Sequence, residues 1–308
     1  MKQKVILDVD TGLDDAAALF LAAGAKELDI VAIIATAGNV GLDKTVKNTL
    51  NVIETTGLKC PVFAGSDRPL VRQAVEAGDF HGETGLDGPV FGKRVIQELQ
   101  EEDGISALIR LIKTYPKEIT VISVGPLTDL AHALQKEPAL PSLVKEIVVM
   151  SGSFNNGNVT EDAEFNAYAD PEAAKIVFSS GAPLVMLSLD ITRTVTLTRE
   201  RLDYFRMIEG RSAEVFSQCM DTYMANYESK KFGWPQMHDP LCVAYVMDRS
   251  KFVAEYKRVV VDTNPVSPSY GMTSKENLDG TGGVTIPTDI DRAWFWEMME
   301  RSLRNLPL

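Results

Sequence analysis

Short runs of apolar, largely β-branched residues recur along this 308-residue chain, and helix-like stretches lie between them. The runs cover residues 5–9, 30–35, 119–124, 147–150 and 184–189, and the helix-like stretches include residues 14–23, 42–55, 129–135 and 171–178. Continuous apolar runs are typical of strands buried on both faces, and their alternation with helices indicates parallel pairing. We therefore predict an α/β fold: an open, mostly parallel, doubly wound Rossmann-like sheet with a mixed edge and helices on both faces.

No feature of the sequence divides the chain into parts. Neither a linker rich in Pro, Ser or Gly nor a block of charge interrupts it, so we predict one domain over residues 1–308. Hydrophobic residues make up 45% of the chain and charged residues 24%. This composition supports one large core and excludes disordered and fibrous classes.

The charge balance argues against nucleic-acid and membrane partners. The chain has 31 basic and 43 acidic residues, a formal net charge of -12, and no basic stripe that could neutralise a phosphate backbone. No apolar run approaches a membrane-spanning length, and the N-terminal run is broken by acidic residues, unlike a signal peptide. Cys60, Cys219 and Cys242 lack metal-ligand spacing, so we interpret them as packing thiols of a cytoplasmic protein.

Polar residues and glycines follow the predicted strands. They are Asp8 and Asp10, Gly38-Asn39, Gly125, Ser151-Gly152 and Asp190. In open α/β sheets, ligands bind beyond the carboxyl ends of the strands, where the strand order reverses. The polar, glycine-rich segment 151–166 is too long for an ordinary connection, and such loops are usually functional. We expect a site at this edge, bordered by that loop.

The first of these strand ends carries four carboxylates, Asp8, Asp10, Asp14 and Asp15, within eight residues. Four such charges repel one another unless a cation compensates them. Oxygen ligands alone favour a hard cation, Ca²⁺ or Mg²⁺, over zinc. The alternative is that Asp14 and Asp15 favour a helix N-terminus while Asp8 and Asp10 cap turns. This segment alone leaves both interpretations open.

Residues 9–16, VDTGLDDA, fill most of a DTDxGxDDAxA signature, and five further blocks follow in order. The blocks are AGN at 37–39, HGETGL at 81–86, GPLT at 125–128, the stretch 148–166 ending in AEFN, and MHDP at 237–240. Together they resemble the inosine-uridine preferring nucleoside hydrolase family. The resemblance implies hydrolysis of the N-glycosidic bond of a ribonucleoside to ribose and free base, through an oxocarbenium-like transition state.

The resemblance also implies a metal site. One Ca²⁺ per subunit would be bound by the carboxylates of Asp10, Asp15 and Asp239 and by the backbone carbonyl of Val124, with water and ribose hydroxyls completing the shell. An all-oxygen set of this kind suits Ca²⁺. Asp10 would be the general base that activates a metal-bound water for attack on C1′.

The same resemblance assigns the ribose contacts. They would be Asp14, Asn39, Met150, Asn158, Glu164 and Asn166, most of which accept or donate hydrogen bonds, while Met150 would pack against the sugar. Successive helix residues point in different directions, so Asp14 can face the sugar while Asp15 binds the metal. Without the resemblance, Asn158, Glu164 and Asn166 would be interpreted as a solvated polar loop.

Two of the three histidines in the chain are candidates for assisting the leaving base. Histidine suits proton transfer near neutral pH. His238 adjoins the proposed ligand Asp239, and His81, in the HGETGLDG segment, could also contact the substrate. His132 falls in a predicted helix and is interpreted as structural or surface.

Four aromatic residues close to His238 in sequence have two open interpretations. Tyr223, Tyr227, Phe232 and Trp234 could stack on a base as a mobile lid, or they could pack the core.

Three departures from the family pattern leave every proposed metal ligand in place. Thr11 stands where proline is common, Asp129 where asparagine is usual, and the segment 151–153 replaces a run of glycines. Asp129 adds a negative charge near the strand that supplies the Val124 carbonyl, and the direction of its effect is open.

Two other functions are compatible with parts of the sequence. Asp8-Val9-Asp10 is similar to the start of haloacid dehalogenase-type phosphatases, in which the first aspartate is the nucleophile and Mg²⁺ assists. That pattern expects a threonine or valine where Gly12 stands. The second alternative is a Ca²⁺-dependent nucleoside or ribose binding protein without turnover, against which the intact Asp10 and His238 argue. The family resemblance further implies a homodimer or homotetramer.

Overall fold

The computed structural model describes residues 2–92, 98–278 and 282–307. Its strands form one sheet. The strands are β1 (Gln3–Val9), β2 (Leu28–Ala35), β3 (Val62–Ala64), β4 (Leu99–Asp103), β5 (Thr120–Ser123), β6 (Glu146–Met150), β7 (Leu184–Leu187), β8 (Phe252–Val261), β9 (Thr273–Glu276) and β10 (Val284–Ile290). The five strands predicted from apolar runs all form, with ends that agree within two residues. The strand in the run 184–189 is shorter than predicted: it ends at Leu187, because Ser188 is the N-cap residue of a short helix that begins at Leu189.

The ten-stranded sheet has the order β4-β3-β2-β1-β5-β6-β7-β10-β8-β9. Neighbouring strands from β4 to β10 are parallel, and only β8 runs antiparallel to its neighbours β10 and β9. The chain winds outward from β1 to β4 and then returns to the other side of β1 with β5. The strand order therefore reverses between β1 and β5, where Asp8 pairs with Ser123. This confirms the predicted mostly parallel sheet with a mixed edge and locates its ligand-binding crevice.

Helices cover both faces of the sheet. They are α1 (Leu13–Gly24), α2 (Leu42–Thr56), α3 (Gly78–His81), α4 (Gly104–Thr114), α5 (Thr128–Lys136), α6 (Leu140–Leu143), α7 (Phe165–Ala169), α8 (Pro171–Phe178), α9 (Leu189–Thr192), α10 (Arg199–Phe205), α11 (Arg211–Lys230), α12 (Pro240–Met247) and α13 (Arg292–Asn305), with a 3₁₀ turn at Arg249–Lys251. In the described parts of the chain, no helix combines the length and apolarity needed to span a membrane.

Alternating side chains of β1 enter two separate cores. Val5, Leu7 and Val9 belong to the core beneath α1, α11, α12 and α13, whereas Ile6 belongs to the core beneath α4, α5 and α8. This alternation is the period-two pattern of a strand buried on both faces. Helix α1 is itself packed against α11, α12 and α13, so its first turn, which carries Asp14 and Asp15, is buried.

Candidate active site

A cavity of about 400 Å³ opens at the carboxyl ends of the central strands. Its wall includes residues that follow β1 and β2 and residues at the ends of β5 and β6. All the residues predicted for the site except Asp15 line it, namely Asp10, Asp14, Asn39, His81, Val124, Met150, Asn158, Glu164, Asn166, His238 and Asp239. Asp15 is fully buried behind this wall.

Three carboxylates come together at one end of the cavity. Asp14, Asp15 and Asp239 each offer an oxygen, and these atoms all lie within 4.8 Å of one another. Asp14 and Asp15 are in the first turn of α1, and Asp239 immediately precedes α12. Helix N-termini favour negative charge, which helps both helices to hold these side chains.

Asp15 also ties the loop after β1 to the loop after β2. Its carboxylate accepts hydrogen bonds from the backbone N–H of Asp10 at 3.1 Å, the N–H of Gly12 at 2.9 Å and the side-chain amide of Asn39 at 3.1 Å. The two strand ends that flank the crevice are therefore fixed relative to α1.

Asp10 lies between two close backbone segments. Its Oδ2 accepts a 2.7 Å hydrogen bond from the N–H of Asn39. A Cβ atom at Gly38 would come within 2.1 Å of Oδ2, and one at Gly125 within 2.8 Å of Oδ1. Glycine is required at both positions because only a bare Cα lets the backbone approach the carboxylate this closely.

Burial raises the pKa of each carboxyl at this end of the cavity, and repulsion between charges raises the pKa of Asp10, Asp14 and Asp239 further. Burial, and then the charge of Asp15, raise the pKa of Asp10 well above its usual range and that of Asp14 to about 8. Burial and the charges of Asp14, Asp15 and Asp10 raise the pKa of Asp239 well above its usual range. Such a group of ionised carboxylates is stable only with a compensating cation. The all-oxygen donor set fits a hard divalent ion, which favours the metal interpretation over simple helix capping.

Asn166 connects the ends of β5 and β6. Its side-chain amide donates to the carbonyl oxygens of Val124 at 2.7 Å and Met150 at 3.0 Å. The carbonyl of Val124 keeps a second lone pair, because an amide oxygen accepts two hydrogen bonds or ligands. Asn158, on the loop 151–164, accepts a hydrogen bond from the N–H of Phe165 at 2.8 Å.

Glu164 has a structural task as well as a place in the cavity wall. It caps α7, and its carboxylate accepts hydrogen bonds from the N–H groups of Gly152 at 2.8 Å, Asn166 at 2.8 Å and Ala167 at 3.0 Å. Burial raises its pKa, while these N–H groups act in the opposite direction. The loop 151–164 is therefore anchored at the cavity by Glu164, although several of its residues, Asn158 among them, are exposed.

His238, the residue before Asp239, is held by two side-chain contacts. Its Nδ1 lies 2.7 Å from Oγ1 of Thr192, and its Nε2 lies 3.4 Å from the hydroxyl of Tyr227. Burial, followed by the charges of Arg193 and His81, lowers the pKa of His238 to about 3. The imidazole is consequently neutral near pH 7.

His81 lies at the end of α3 and faces the start of α1. The N–H of Leu13 donates to its Nδ1 at 3.2 Å, which assigns the proton of the neutral ring to Nε2. Burial lowers the pKa of His81 to about 4. His132, on α5, does not contribute to the cavity wall.

The aromatic residues near His238 divide into two groups. Tyr223 and Tyr227 on α11 are buried in the core and also line the cavity. Phe232 is 60% exposed, lines the cavity, and stacks on Phe80 with ring centroids 6.4 Å apart. Trp234 is exposed and lies outside the wall. Core packing therefore applies to Tyr223 and Tyr227, which also reach the cavity, whereas Phe232 reaches the cavity from an exposed position.

Several cavity residues carry no signal that singles them out in the sequence. Arg193, directly after α9, donates hydrogen bonds to the backbone carbonyls of Asn156 and Gly157, each at 2.7 Å. Gln236 also contributes to the wall. Phe80 could have been noticed, because it directly precedes the HGETGL block at residues 81–86.

The carboxylate of Asp8 is outside the cavity. It is fully buried, and its Oδ2 accepts a 2.7 Å hydrogen bond from Oγ of Ser123. A phosphatase nucleophile at this position would need to reach a substrate, and the cavity wall contains Asp10 instead.

Comparison with known proteins gives a consistent result. A family model described as inosine-uridine preferring nucleoside hydrolase matches residues 5–297. A pyrimidine-specific ribonucleoside hydrolase, RihB, from Escherichia coli is 38% identical over 312 residues, covering 99% of this chain and 98% of that protein.

Solved structures resemble the chain over its whole length. A plant nucleoside hydrolase, the PpNRh1 enzyme, has a TM-score of 0.92 at 28% identity, with 99% of both chains covered. A purine-preferring ribonucleoside hydrolase from Gardnerella vaginalis has a TM-score of 0.92 at 28% identity, with 98% of both chains covered.

Proposed function

The chain belongs to the inosine-uridine preferring nucleoside hydrolase family, and we propose that its cavity binds a ribonucleoside and hydrolyses it to ribose and free base. The observation that carries this proposal is the group of buried carboxylates bordering a cavity at the point where the strand order reverses. We propose that pyrimidine ribonucleosides react fastest, because the relative at 38% identity is described as pyrimidine-specific.

We propose that one Ca²⁺ per chain is held by Asp10, Asp15, Asp239 and the carbonyl of Val124. Asp15 and Asp239 belong to the carboxylate group whose oxygens lie within 4.8 Å of one another. Its third member, Asp14, lines the cavity, and we assign it to the ribose hydroxyls because the family resemblance implies that role. The ion, when bound, would neutralise the buried carboxylates and supply positive charge for anchoring vicinal hydroxyls.

The base that activates water is Asp10 in this proposal. Its carboxylate lines the cavity and is oriented by the N–H of Asn39. As the oxygen of a water molecule bonds to C1′, Asp10 accepts the water proton, and the electron pair of the C1′–N bond passes to the base.

The ribose is oriented by the side chains that line the cavity beyond the carboxylates. They are Asn39, Met150, Asn158, Glu164 and Asn166. Four of them are fixed by hydrogen bonds of their own before substrate enters, namely Asn39, Asn158, Glu164 and Asn166. Preorganised contacts of this kind hold C1′ in reach of the water and of Asp10.

His238 and His81 are the catalytic groups proposed for the leaving base, and His81 is also a substrate contact. Both rings are buried and line the cavity, and burial keeps each neutral at pH 7. A neutral imidazole still carries one N–H, so each ring would donate a hydrogen bond to the base rather than act as an imidazolium.

The two alternative functions have less support. The buried Asp8 argues against a haloacid dehalogenase-like mechanism, and both alternatives leave the match over residues 5–297 unexplained. A binding protein without turnover would retain the same carboxylates as calcium ligands, so measuring turnover is what distinguishes it from a hydrolase.

We further propose one domain over residues 1–308, a homodimer or homotetramer, and a cytoplasmic location. The sheet that takes strands from both ends of the chain supports the first, and three buried free thiols are consistent with a reducing compartment. Light scattering would measure the oligomeric state.

The experiment is to incubate the pure protein with uridine, cytidine, inosine and adenosine, with and without a calcium chelator, and to measure reducing ribose. We expect ribose release from uridine and cytidine first, lost on chelation and restored by Ca²⁺. Ligand-induced stabilisation without ribose release would support the binding protein, and phosphate release from a generic ester would support the phosphatase.

A further inference from the structure

Arg193 is the only lysine or arginine among the described residues that line the cavity. The rest of the wall is acidic, with Asp10, Asp14, Glu164 and Asp239 in it. Within the described parts of the chain, the guanidinium makes two hydrogen bonds, both to backbone carbonyls, and no ion pair. Carbonyl groups orient a cation without neutralising it, so a permanent positive charge borders the cavity.

The position of Arg193 is on the side of the cavity that would hold the base. Thr192, the preceding residue, contacts Nδ1 of His238 at 2.7 Å. The positive charge of Arg193 adds to the effect of burial in lowering the pKa of His238, and it opposes the effect of burial on the pKa of Tyr227 and Glu164. Arg193 therefore acts electrostatically on both base-side residues and on one ribose-side residue.

The proposed reaction creates negative charge on that side. When the C1′–N bond breaks, its electron pair passes to the ring nitrogen of the base and spreads onto conjugated ring carbonyl oxygens. The oxygen of water forms the new C1′–O bond and one proton of the water passes to Asp10. The base nitrogen then takes up a proton from solvent to leave as the neutral base, and Asp10 returns its proton to solvent. A fixed cation is most effective where charge develops during the reaction.

We propose that Arg193 stabilises the negative charge on the departing base, an inference that depends on the proposed hydrolase function. The two carbonyl hydrogen bonds hold the guanidinium in place before the substrate enters, so little reorganisation is needed in the transition state. A purely structural role, in which Arg193 only clamps residues 156–157, makes a different prediction about substrates.

The test compares R193Q and R193K with the wild-type protein on uridine and on 5-fluorouridine, whose base is the better leaving group. R193Q should lower kcat/KM for uridine by about 10²-fold. It should lower kcat/KM for 5-fluorouridine by clearly less, because a more stable leaving anion needs less assistance. R193K retains the charge, so it should restore most of the activity on uridine and return the ratio of the two kcat/KM values towards that of the wild-type protein.

Inhibition by free ribose separates the two roles, because ribose lacks the base. In R193Q we expect the inhibition constant of ribose to change less than threefold, with thermal unfolding measured to confirm a folded protein. Equal losses on both nucleosides together with weaker ribose inhibition would overturn the proposal in favour of a clamp. A ratio of the two kcat/KM values in R193K that stays as high as in R193Q would also overturn it. Absence of ribose release by the wild-type protein would contradict the proposed function itself, and this inference with it.

Discussion

The side-chain amide of Asn166 donates a 2.7 Å hydrogen bond to the carbonyl oxygen of Val124, the backbone group proposed as a calcium ligand. The same amide reaches the carbonyl of Met150 at 3.0 Å, so one side chain sets the spacing of two adjacent strand ends. Groups that orient a ligand commonly contribute as much to metal affinity as the ligand's own chemistry.

Replacing Asn166 by alanine should therefore weaken calcium binding. We expect the Ca²⁺ concentration for half-maximal activity to rise about 10- to 100-fold, and the KM for uridine to rise with it. Asn155→Ala, at an exposed residue of the loop that precedes α7 and outside the cavity wall, is the matched control. An unchanged calcium titration in Asn166→Ala would contradict the proposed role of the Val124 carbonyl.

Asp10 and Asp14 both line the cavity, but the proposal gives them different tasks. Asp10→Asn should lower kcat by about 10²- to 10⁴-fold through loss of the general base, and it should also weaken calcium binding. Asp14→Asn should mainly raise KM, because only ribose contacts are lost. Calorimetric titration with Ca²⁺ separates the two variants, and a larger loss of calcium affinity in Asp14→Asn would reverse the assignment.

The metal-free protein should lose stability as the pH rises. Burial and the charge of Asp15 raise the pKa of Asp14 to about 8 in the folded state, compared with about 3.9 in an unfolded chain. Between these values the folded state binds more protons than the unfolded state, so the free energy of unfolding falls with increasing pH.

We therefore expect Tm without metal to fall between about pH 5 and pH 8, and the stabilisation by Ca²⁺ to grow over the same range. Asp14→Asn should flatten the metal-free profile, whereas Asp43→Asn, an exposed aspartate in the first turn of α2, should leave it unchanged. A metal-free Tm that is independent of pH would contradict the electrostatic description of the cluster.

Thr192 orients His238 through the 2.7 Å contact to Nδ1. Thr192→Val removes the hydroxyl that contacts His238 in a buried pair. We expect kcat/KM to fall about 10-fold, which corresponds to the loss of one buried hydrogen bond. Thr194→Val is the control, because Thr194 is exposed and its hydroxyl donates to the carbonyl of Ile191. If both variants retain full activity, His238 does not need this orientation for catalysis.

The central strands were predictable because burial on both faces leaves continuous apolar runs. The edge strand β4 has the sequence LQEED and is mostly exposed, so no such run marks it. Strand β8 alternates between exposed and partly buried residues and contributes no continuous signal. These strands form because the neighbouring strand is already in place, which is a property of the tertiary structure.

The site was predictable where its residues lie directly after strands. Asp10 and Asn39 follow β1 and β2 in sequence, so the motifs that contain them indicate both where a strand ends and where the site lies. Arg193 and Gln236 come from distant segments that only the folded chain brings to the cavity. The effect of Asp129 on its surroundings could also be inferred only from the structure, because its partner Asp8 is 121 residues away in sequence.

Asp129 faces Asp8 beneath the crevice. Oδ1 of Asp129 accepts hydrogen bonds from the N–H of Ser66 at 2.7 Å and from its Oγ at 2.5 Å. Oδ1 of Asp8 and Oδ2 of Asp129 are buried, and no N–H or O–H group of the described residues donates to either. Burial raises the pKa of both carboxyls, and the charge of Asp129 raises that of Asp8 further.

Asp129→Asn should consequently stabilise the protein. The amide oxygen can keep both contacts to Ser66, while the amide N–H₂ gives the buried oxygen of Asp8 a donor, a gain of about 1–2 kcal/mol. Because both carboxyls have raised pKa values in the folded state, the repulsion that the variant removes develops as the pH rises above about 4. The increase in Tm, measured with Ca²⁺ present, should therefore be larger at about pH 7.5 than at about pH 4.5.

Asp67→Asn, at an exposed aspartate paired with Arg68, should change Tm little. A lower Tm for Asp129→Asn at neutral pH would instead mean that a proton shared between Asp8 and Asp129 already stabilises the pair.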